Sequence, residues 1–391
     1  MKKTADVIII GGGIMGCSSA YQLSKAGVKV TLLEKRYVGD GPTGKSSAII
    51  RQHYSHKITA SMAFHSLKIF HNFKDEVGDE CGFNHTGFLN VVSKKDLEGL
   101  KLNVQLQQSL GINTKVISGE EIAEVMPGLV TNDPLYAAYE PDGGYADAYL
   151  TVGAYARAAK KLGAEIVQKA EVTAIRRSGD KVVGVDSSKG QFDAPVILSA
   201  TGAWAKGVGQ MVDLDLPINS CRVQVAYFHR PGDMKGYHPV VTDFVKAIYF
   251  RPEGTDLTVA GLVDPAEANV VVDPDEYDEG VNLDFVTEVG EKIMYRYPDM
   301  EKSESRGGYA SLYAVTPDWH AIVDELPQGS GYYVCSGFSG HGFKLGPAVG
   351  LMVADFITGN SAPKFDHTPF RFSRFEEKDT MEGKYQYSIV G

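Results

Sequence analysis

Three glycines near the start of the chain, Gly11, Gly13 and Gly16, have the G-x-G-x-x-G spacing of a phosphate-contacting turn. They follow an apolar run, residues 7–10, and open a helix-compatible segment. Glycines at these places permit a tight turn, close backbone approach to a pyrophosphate and close packing of helix on strand. A second β-rich run ends at Glu34, an acid placed to hydrogen-bond ribose hydroxyls. The pattern predicts a dinucleotide-binding βαβ unit and leaves open whether the ligand is FAD or NAD.

A second glycine-rich segment, residues 337–344, follows a predicted strand and precedes a helix expected from about Pro347. Its N–H groups would face a ligand at the helix N-terminus, where Lys344 adds a full positive charge. Arg51 lies close to another glycine-rich loop. If Arg51 and Lys344 face one cavity, they form a carboxylate clamp, with Arg51 bidentate and Lys344 a point charge. The simpler alternatives are a solvated Arg51 and a tight strand–helix turn that carries a solvated lysine.

Residues 39–46 match the phosphate-loop pattern G-x-x-x-x-G-K-[ST] letter for letter. A phosphate loop follows its strand directly, whereas here the preceding strand already ends at Glu34. The sequence also offers no convincing apolar strand that ends in a magnesium-binding aspartate. We therefore interpret the match as a coincidence, with an ATP-dependent enzyme as the minor alternative. We still expect Lys45 and Ser46 to open the next helix and to contact the cofactor.

The composition is that of an ordinary globular chain of 391 residues, with 43% hydrophobic and 23% charged residues. A net charge of −10 argues against nucleic acid or an anionic membrane as the main partner. The four cysteines are scattered, which favours a reducing, cytoplasmic location. No leader or membrane span is expected, because no apolar run approaches the roughly 18 residues that a span needs. His53 and His56 have metal-like spacing without a supporting cluster, so no metal site is predicted.

Helix-like and strand-like stretches alternate along the chain without internal repeats. The patterns predict helices over residues 58–77, 95–110 and 149–162, and strands over residues 88–92, 165–167, 171–176, 181–185, 194–199 and 332–335. Residues 218–260 alternate as an antiparallel sheet does. The turn Ala200-Thr201-Gly202 after a buried strand is either a second nucleotide contact or a plain strand-to-helix turn.

These elements predict an α/β (α+β) fold in which dinucleotide-type features occur at both ends and in the middle of the chain. We expect a Rossmann-like binding domain assembled from separated segments, residues 1–85, 145–217 and 306–391. An antiparallel β-rich substrate domain, residues 86–144 and 218–305, is expected as the insertion.

Five ordered motifs together resemble the FAD-dependent amine oxidoreductases of the D-amino-acid-oxidase type: residues 11–16, 46–51, 202–204, 315–318 and 337–344. The resemblance spans nearly the whole chain and is strongest to sarcosine oxidases, the β subunits of heteromeric sarcosine oxidase and proline dehydrogenase, and dimethylglycine dehydrogenase. It implies FAD as the cofactor. The contacts expected with it are Gly11, Gly13, Ile14, Met15, Gly16, Glu34, Lys35, Lys45, Ser46, Ser47, Val172, Ala200, Thr201, Gly202, Trp204, Gly337, Gly340, His341, Gly342, Phe343 and Lys344.

The resemblance also implies a reaction. An amino acid with a secondary or tertiary amine, such as sarcosine, dimethylglycine or proline, binds with its carboxylate clamped by Arg51 and Lys344; primary amino acids fit such a clamp as well. A hydride equivalent passes from a carbon next to nitrogen to flavin N5, and water hydrolyses the resulting imine. The helix start at residues 340–343 would stabilise negative charge at the flavin N1–C2=O end. Tyr249 falls near family residues that shape the substrate pocket.

The chain departs from the family pattern at three positions. Monomeric sarcosine oxidases tether FAD through a cysteine where Ser311 stands, and dimethylglycine-dehydrogenase-like members use a histidine where Lys45 stands. We therefore expect noncovalent FAD. The oxidases carry a lysine near flavin N5 where Thr258 aligns, which predicts a dehydrogenase or a slow oxidase.

The electron acceptor is left open between O2 and a protein or quinone. One alternative is a flavin subunit that passes electrons to a partner protein, and a homo-oligomer is also compatible with the sequence. Four aromatic residues near the C-terminus, Phe365, Phe370, Phe372 and Phe375, could cover a partner, although such residues more often cover the chain's own core. From the βαβ unit alone, an NAD-dependent dehydrogenase stays open as well.

Overall fold

The computed structural model describes residues 3–232, 234, 236–263, 266 and 270–381. The predicted domain segments also include some residues that lie outside the described ones. These are residues 1 and 2, a few positions within 218–305, and residues 382–391. In the described part of the chain, no helix is long and apolar enough to cross a bilayer.

The α-helices among the described residues are α1 (Ile14–Lys25), α2 (Lys57–His71), α3 (Phe73–Val77), α4 (Leu97–Ser109), α5 (Gly119–Val125), α6 (Ala148–Lys161), α7 (Ala205–Gln210), α8 (Leu283–Arg296), α9 (Gly342–Thr358) and α10 (Arg374–Glu377). The strands are β1 (Lys3–Thr4), β2 (Val7–Ile10), β3 (Val30–Glu34), β4 (Ile49–Ile50), β5 (Asn84–His85), β6 (Phe88–Ser93), β7 (Lys115–Ser118), β8 (Leu135–Glu140), β9 (Gly144–Tyr145), β10 (Glu165–Gln168), β11 (Val172–Ser178), β12 (Lys181–Ser187), β13 (Gly190–Asp193), β14 (Val196–Ser199), β15 (Asn219–His229), β16 (Val240–Asp243), β17 (Ile248–Glu253), β18 (Leu257–Leu262), β19 (Glu304–Val315), β20 (Ile322–Glu325) and β21 (Tyr332–Ser336).

A six-stranded sheet in the order β10-β3-β2-β14-β21-β20 forms the centre of the fold. Its neighbouring strands are parallel, except that β20 runs antiparallel to β21. All four side chains of β2 are buried, because a central parallel strand is covered on both faces. Val7 and Ile9 face a core built with α1, α2, α6 and α9, whereas Ile8 and Ile10 face the small sheet β1-β13-β12-β11. The predicted βαβ unit is thus confirmed as β2-α1-β3.

An eight-stranded sheet, in the order β19-β15-β18-β17-β16-β6-β8-β7, forms the second large unit. Its strands come from residues on both sides of α6 and α7, and its pairs are antiparallel except for β16 beside β6. Alternate side chains pack on α8 on one face of this sheet, among them Val91 and Phe250. A buried ion pair of 2.5 Å between Arg296 and Asp243 ties α8 to the end of β16.

Most predicted elements are confirmed, with ends shifted by a few residues, and two elements differ. The stretch 58–77 is two helices, α2 and α3, separated at Asn72. The last long helix, α9, begins at Gly342 and includes Pro347, so Lys344 lies in its first turn rather than before it. A domain boundary at residue 306 would cut β19, which pairs with β15 from Glu304 to Val315. We therefore propose that the inserted unit ends after Val315.

The aromatic residues near the C-terminus pack on the chain itself. Phe365 and Phe370 are buried in the core around α9, and Phe372 and Phe375 pack beside the core on the other face of the six-stranded sheet. They therefore give no support to a partner surface.

Candidate active site

One cavity of about 530 Å³ lies between the carboxyl ends of the six-stranded sheet and the eight-stranded sheet. This is the position at which open α/β sheets bind ligands. The cavity wall includes both predicted clamp residues, Tyr249, and all the predicted cofactor contacts except Gly16. Gly16 lies behind the wall, and a Cβ there would meet the Gly11 carbonyl oxygen at 1.9 Å, so this glycine allows α1 to approach β2 closely.

The glycine-rich turn between β2 and α1 is shaped for a bulky ligand. Gly11 has a φ of +108°, and a Cβ on it would meet the carbonyl oxygen of Ala200 at 2.5 Å. A Cβ on Gly13, at the N-cap of α1, would meet Thr43 Oγ1 at 2.9 Å. Side chains are therefore excluded at both positions, and the start of α1 lines the cavity. This arrangement fits a dinucleotide pyrophosphate.

Glu34 at the end of β3 lines the same part of the cavity. Its two carboxylate oxygens accept hydrogen bonds from the backbone N–H groups of Gly12 and Arg36, each at 2.7 Å. These bonds fix the carboxylate beside the glycine-rich turn. A carboxylate at this place in a βαβ unit is suited to accept hydrogen bonds from ribose hydroxyls.

The phosphate-loop match at residues 39–46 does not form a phosphate loop. This segment is a series of turns that leads into β4, and the next helix, α2, begins only at Lys57. The prediction that Lys45 and Ser46 open a helix is therefore wrong. Both residues nevertheless line the cavity, with Ser47 beside them.

An acidic segment that the sequence reading missed, residues 273–279, crosses the cavity rim; we call it the acidic strap. Its Asp275 pairs with Lys35 at 2.6 Å and accepts the Trp204 indole N–H at 2.9 Å. Its Glu279 pairs with Lys45 at 2.7 Å. The strap therefore holds three side chains that line the cavity. The acidic run 273–279 is visible in the sequence, but nothing local indicates its distant lysine partners.

Two strand contacts anchor the acidic strap at its ends. Val272 N–H donates to Ser220 O on β15 at 2.9 Å, and Ala310 N–H on β19 donates to Glu279 O at 2.8 Å. The strap is thereby attached to the eight-stranded sheet, while its side chains reach residues of the other unit. The strap thus links the two units beside the cavity.

Arg51 and Lys344 come together in the cavity wall, as the clamp hypothesis requires. Arg51 follows β4, donates to the carbonyl of His53 and stacks its guanidinium over the Tyr54 ring at 4.3 Å. Lys344 is 7% exposed, and its Nζ lies 3.5 Å from the carbonyl oxygen of His341. Burial, and secondly the charge of Arg51, lower the pKa of Lys344 well below its ordinary value. The wall therefore carries the charge of Arg51 beside an amine that an anionic ligand would cause to take up a proton.

The first turn of α9 strengthens this positive region. A Cβ at Gly340, where φ is +88°, would meet the Tyr313 ring at 2.4 Å, so the tight approach of the loop to β19 needs glycine. His341 precedes the helix and pairs its Nε2 with Trp319 O at 2.8 Å. Burial, with the nearby charges of His320 and Lys344, lowers the His341 pKa well below its ordinary value, so the ring is neutral. The N–H groups that begin α9 add partial positive charge.

Glu140, at the end of β8, is a buried acid next to the clamp that sequence reasoning missed. Its Oε2 accepts the Gln52 backbone N–H at 2.7 Å, one residue from Arg51. Burial raises the pKa of Glu140 to about 7, against the lowering effects of this hydrogen bond and of Arg51. Glu140 ends a strand with an ordinary pattern, so the sequence around it does not indicate that it lies near Arg51.

Thr258 does not line the cavity, although Tyr249 does. Across β17 and β18, Tyr249 pairs with Gly261, whereas Thr258 pairs with Pro252 and shares a face with Ala260, which packs towards α8. Because side chains alternate along a strand, a shift of one residue changes the face. The prediction that placed Thr258 near the reacting ring is therefore wrong.

Among the described residues there is no cluster of three or more side chains suited to hold a metal ion. His53 is buried, and burial, followed by the charge of Arg51, lowers its pKa to about 3. The nearby His56 is partly buried, and burial lowers its pKa as well.

Comparison with known proteins decides which ligand the cavity takes. A family model described as DAO, FAD dependent oxidoreductase, matches residues 6–356 of the chain. The chain belongs to this family. As an FAD-dependent oxidoreductase, it takes FAD as its cofactor. The glycine-rich turn, Glu34 and residues 337–344 line one cavity.

Several named proteins are similar to this FAD-dependent oxidoreductase. Human mitochondrial sarcosine dehydrogenase is 27% identical over 97% of the chain, and the match spans 42% of that longer protein. Sarcosine oxidase subunit beta of Rhodobacter capsulatus is 26% identical, with 96% of this chain and 90% of that protein covered. The crystal structure of L-proline dehydrogenase from P. horikoshii has a TM-score of 0.89 and 28% identity, over 97% of this chain and all of that one. The chain thus spans less than half of the sarcosine dehydrogenase it matches.

Proposed function

We propose that this FAD-dependent oxidoreductase oxidises the C–N bond of an amino acid whose amine is secondary or tertiary, such as sarcosine, dimethylglycine or proline. The observation that carries the proposal is the pairing of Arg51 and Lys344 in one buried cavity wall. A carboxylate is the ligand charge that such a pair favours. The similarity to proteins named for sarcosine and L-proline supports the amine class.

The proposal gives each clamp residue a distinct task. The planar guanidinium of Arg51 can donate to both carboxylate oxygens. Its contacts with the Tyr54 ring and the His53 carbonyl restrict the orientation of the guanidinium. Lys344 supplies a point charge from the first turn of α9. Together they fix the end of the substrate that does not react, which orients the carbon next to nitrogen.

The same positive wall acts on the amine of the bound substrate. A protonated amine next to Arg51 and Lys344 is disfavoured by like charge, so its pKa falls and the neutral amine is more populated. When bound, FAD would supply the acceptor for a hydride equivalent from the carbon next to that nitrogen, and water would hydrolyse the imine product. Tyr249 lies in the wall of the cavity, as a residue that shapes the pocket should.

Anaerobic mixing with a panel of amines tests the proposal. We expect an N-methyl or cyclic amino acid to bleach the flavin absorbance, and the methyl ester of the same compound, which lacks the carboxylate charge, to bleach it far more slowly. Equal rates with acid and ester would remove the clamp from the mechanism. Failure of every amino acid in the panel to bleach the flavin would overturn the proposal.

A second candidate is a flavin subunit that passes electrons to a partner protein. The observation in its favour is that the chain covers 90% of a protein named as a subunit, sarcosine oxidase subunit beta. Gel filtration of material purified from its native source tests this candidate. Co-elution of the flavin absorbance with a second polypeptide supports the subunit role, whereas elution of the chain alone or as a homo-oligomer supports a free-standing enzyme.

The cytoplasmic location stays a proposal as well. Four free, buried cysteines support a reducing compartment. Several similar proteins are mitochondrial by name. Fractionation of the source cells with an antibody to the chain distinguishes the two locations.

A further inference from the structure

Three histidine rings, His341, His320 and His56, follow one another from the cavity wall towards the surface. His341 lines the cavity just before α9, His320 lies between β19 and β20, and His56 immediately precedes α2. The ring centroids of His341 and His320 are 5.9 Å apart, and those of His320 and His56 are 6.0 Å apart. His341 and His320 are 4% and 6% exposed, whereas His56 is partly exposed. We call these three rings the histidine series.

Every ring of the histidine series has a buried nitrogen without a protein partner. The Nδ1 atoms of His341, His320 and His56 make no hydrogen bond to any of the described residues. Buried polar atoms are normally paired with protein or with ordered water, and leaving them unpaired is costly. An apolar ring would fill the same space without this cost. Three such nitrogens in succession therefore indicate a polar task rather than packing alone.

The tautomer of His341 makes its Nδ1 a proton acceptor. Its Nε2 lies 2.8 Å from the carbonyl oxygen of Trp319, which can only accept a hydrogen bond, so Nε2 carries the hydrogen. Burial and the nearby charges lower the pKa of His341 well below its ordinary value, so the ring is neutral. A neutral ring protonated on Nε2 has a lone pair on Nδ1. This nitrogen can receive a proton and release it again.

The surroundings also keep the other two rings neutral. Burial lowers the pKa of His320 to about 4, against the effect of Asp318 and reinforced by His56 and Arg374. Asp318 is itself paired with Arg374 at 2.8 Å. Burial lowers the pKa of His56 as well. At neutral pH the series therefore does not retain a proton, and a group that passes protons on must not hold them.

The spacing of the rings suits proton transfer through water. Because a hydrogen bond between nitrogen and oxygen is roughly 2.9 Å long, one bridging water joins polar atoms up to roughly 6 Å apart. The centroid distances of 5.9 and 6.0 Å place neighbouring rings within that reach. The unpaired Nδ1 atoms are the acceptors that such waters need.

The clamp wall at the inner end of the series has to exchange protons with solvent. Lys344, whose Nζ is 3.5 Å from the His341 carbonyl oxygen, takes up a proton when an anion binds beside it. In the proposed reaction, an ammonium substrate loses one proton from nitrogen and one hydride from the adjacent carbon. The nitrogen electron pair completes the C=N bond of the iminium product, and the hydride goes to FAD. One proton therefore has to leave the cavity in each turnover.

We propose that His341, His320 and His56 conduct protons between the clamp wall and solvent, with His341 at the inner end and His56 at the surface end. The inference rests on the proposed function, because the clamp and the amine create the demand for proton exchange. It assigns a role in the reaction to His320 and His56, which do not line the cavity.

Binding of (methylthio)acetate, a carboxylate without an amine, tests the inference. In weakly buffered solution, a stopped-flow trace with a pH-indicator dye records proton uptake, and the flavin spectrum records binding. We expect His56→Phe and His320→Phe to slow proton uptake by about tenfold or more. The number of protons taken up and the final flavin spectrum should be unchanged, because the variants alter the route and not the clamp. Uptake as fast in both variants as in the wild type would overturn the inference.

His65→Phe is the matched control. His65 is a partly buried histidine on α2 whose ring packs on Phe365 at 5.5 Å, outside the histidine series. We expect its proton uptake to be as fast as in the wild type. FAD content and thermal unfolding show that each variant is folded.

Chemical rescue separates proton transfer from a structural role. His56→Ala leaves space near the surface, where added imidazole can replace the missing base, so imidazole should restore fast proton uptake. In His65→Ala, imidazole should change nothing. Slow uptake in His56→Ala that imidazole does not restore would contradict the relay.

The outcomes distinguish this inference from the proposed function. If an amino acid of the panel bleaches the flavin while uptake is equally fast in every variant, only the inference fails. If (methylthio)acetate binds without proton uptake, the inference also fails. If no amino acid of the panel reduces the flavin, the proposed function fails, and the uptake measurement still decides the relay because it needs no oxidation.

Discussion

Arg51 and Lys344, from opposite ends of the chain, lie in the wall of one cavity, and the charge of Arg51 adds to burial in lowering the pKa of Lys344. An anion bound in this nearly dry wall would pair with Arg51 and would favour the protonated, charged form of Lys344. This explains why the clamp is expected to dominate substrate affinity.

Removing the Arg51 charge should weaken substrate binding strongly. For Arg51→Ala we expect the KM to rise by an amount equivalent to roughly 2–4 kcal/mol, because a buried charge-assisted pair is lost. Steady-state kinetics with the best substrate of the panel measure the change. Arg157→Ala is the matched control, since Arg157 is half exposed and pairs with Asp79. An unchanged KM in Arg51→Ala would remove Arg51 from the site.

Binding of a carboxylate should be coupled to proton uptake by Lys344. Its pKa in the free protein is well below the ordinary value, mainly through burial, and an anion beside it favours the charged form. The affinity should therefore be constant at low pH and fall as the pH rises above the free-protein pKa of Lys344. Calorimetry with (methylthio)acetate, which has no amine, in buffers of different ionisation enthalpy measures the protons taken up.

Two variants separate Lys344 from Glu140 in that experiment. Glu140 has its pKa raised to about 7 by burial, so its ionisation above that pH adds negative charge near Arg51 and also weakens anion binding. Glu140→Gln should remove this part of the pH dependence and retain the proton uptake. Lys344→Met should abolish the uptake. Unaltered proton uptake in Lys344→Met would show that another group takes the proton.

The FAD should be released by acid precipitation. Ser311 and Lys45, at the two positions where related proteins tether the cofactor, line the cavity, and Lys45 is engaged with Glu279. Cys335 also lines the cavity, but burial raises the pKa of its thiol far above the ordinary value, so no thiolate is present to form a bond. Yellow colour should appear in the supernatant after precipitation. Flavin that stays in the protein pellet would contradict a noncovalent cofactor.

Neutralising the acidic strap should speed the loss of FAD. In a double variant, Asp275→Asn and Glu279→Gln, the ion pairs with Lys35 and Lys45 are lost. Each exposed pair contributes roughly 0.2–1 kcal/mol, so we expect a rise in the FAD dissociation rate of about severalfold. The recovery of flavin fluorescence on dilution measures this rate. Glu276→Ala, exposed on the same strap, is the control, and equal rates in the double variant and the wild type would exclude a role for the strap.

Reduced flavin should react slowly with oxygen. The strand β18, Leu257–Leu262, contains no lysine, and among the described residues the cations that line the cavity are Lys35, Arg36, Lys45, Arg51 and Lys344. Without a further charge on the sheet side, superoxide formation is less stabilised. In stopped-flow traces, reoxidation by air should be slower than reduction by substrate. Reoxidation that outpaces reduction would identify an oxidase.

The parts of the fold that the sequence predicted are those with a local signal. The glycine spacing from Gly11 to Gly16, the apolar strands and Glu34 each depend on neighbours within one βαβ unit, so their pattern is legible in the chain. The start of α9 was misplaced because Gly342 and Pro347 both have poor helix propensity, and tertiary packing overrides it.

The parts that the sequence could not predict depend on distant partners or on strand parity. The contacts of the acidic strap with Lys35 and Lys45 join residues more than two hundred positions apart. The position of Glu140 beside Arg51 likewise arises only when β8 packs near β4. Thr258 shows the effect of parity: it lies in the region expected to form an antiparallel sheet, but its side chain is on the helix-covered face of β18.

The strand order of the central sheet has a consequence for synthesis on the ribosome. β2 emerges early, yet its neighbour β14 and the next strand, β21, are made much later, and the first turn of α9 follows β21. A nascent chain that carries the glycine-rich turn alone therefore cannot enclose FAD. The cavity wall is complete only after the first turn of α9 has been synthesised, and a product that stops before β14 leaves one edge of β2 unpaired.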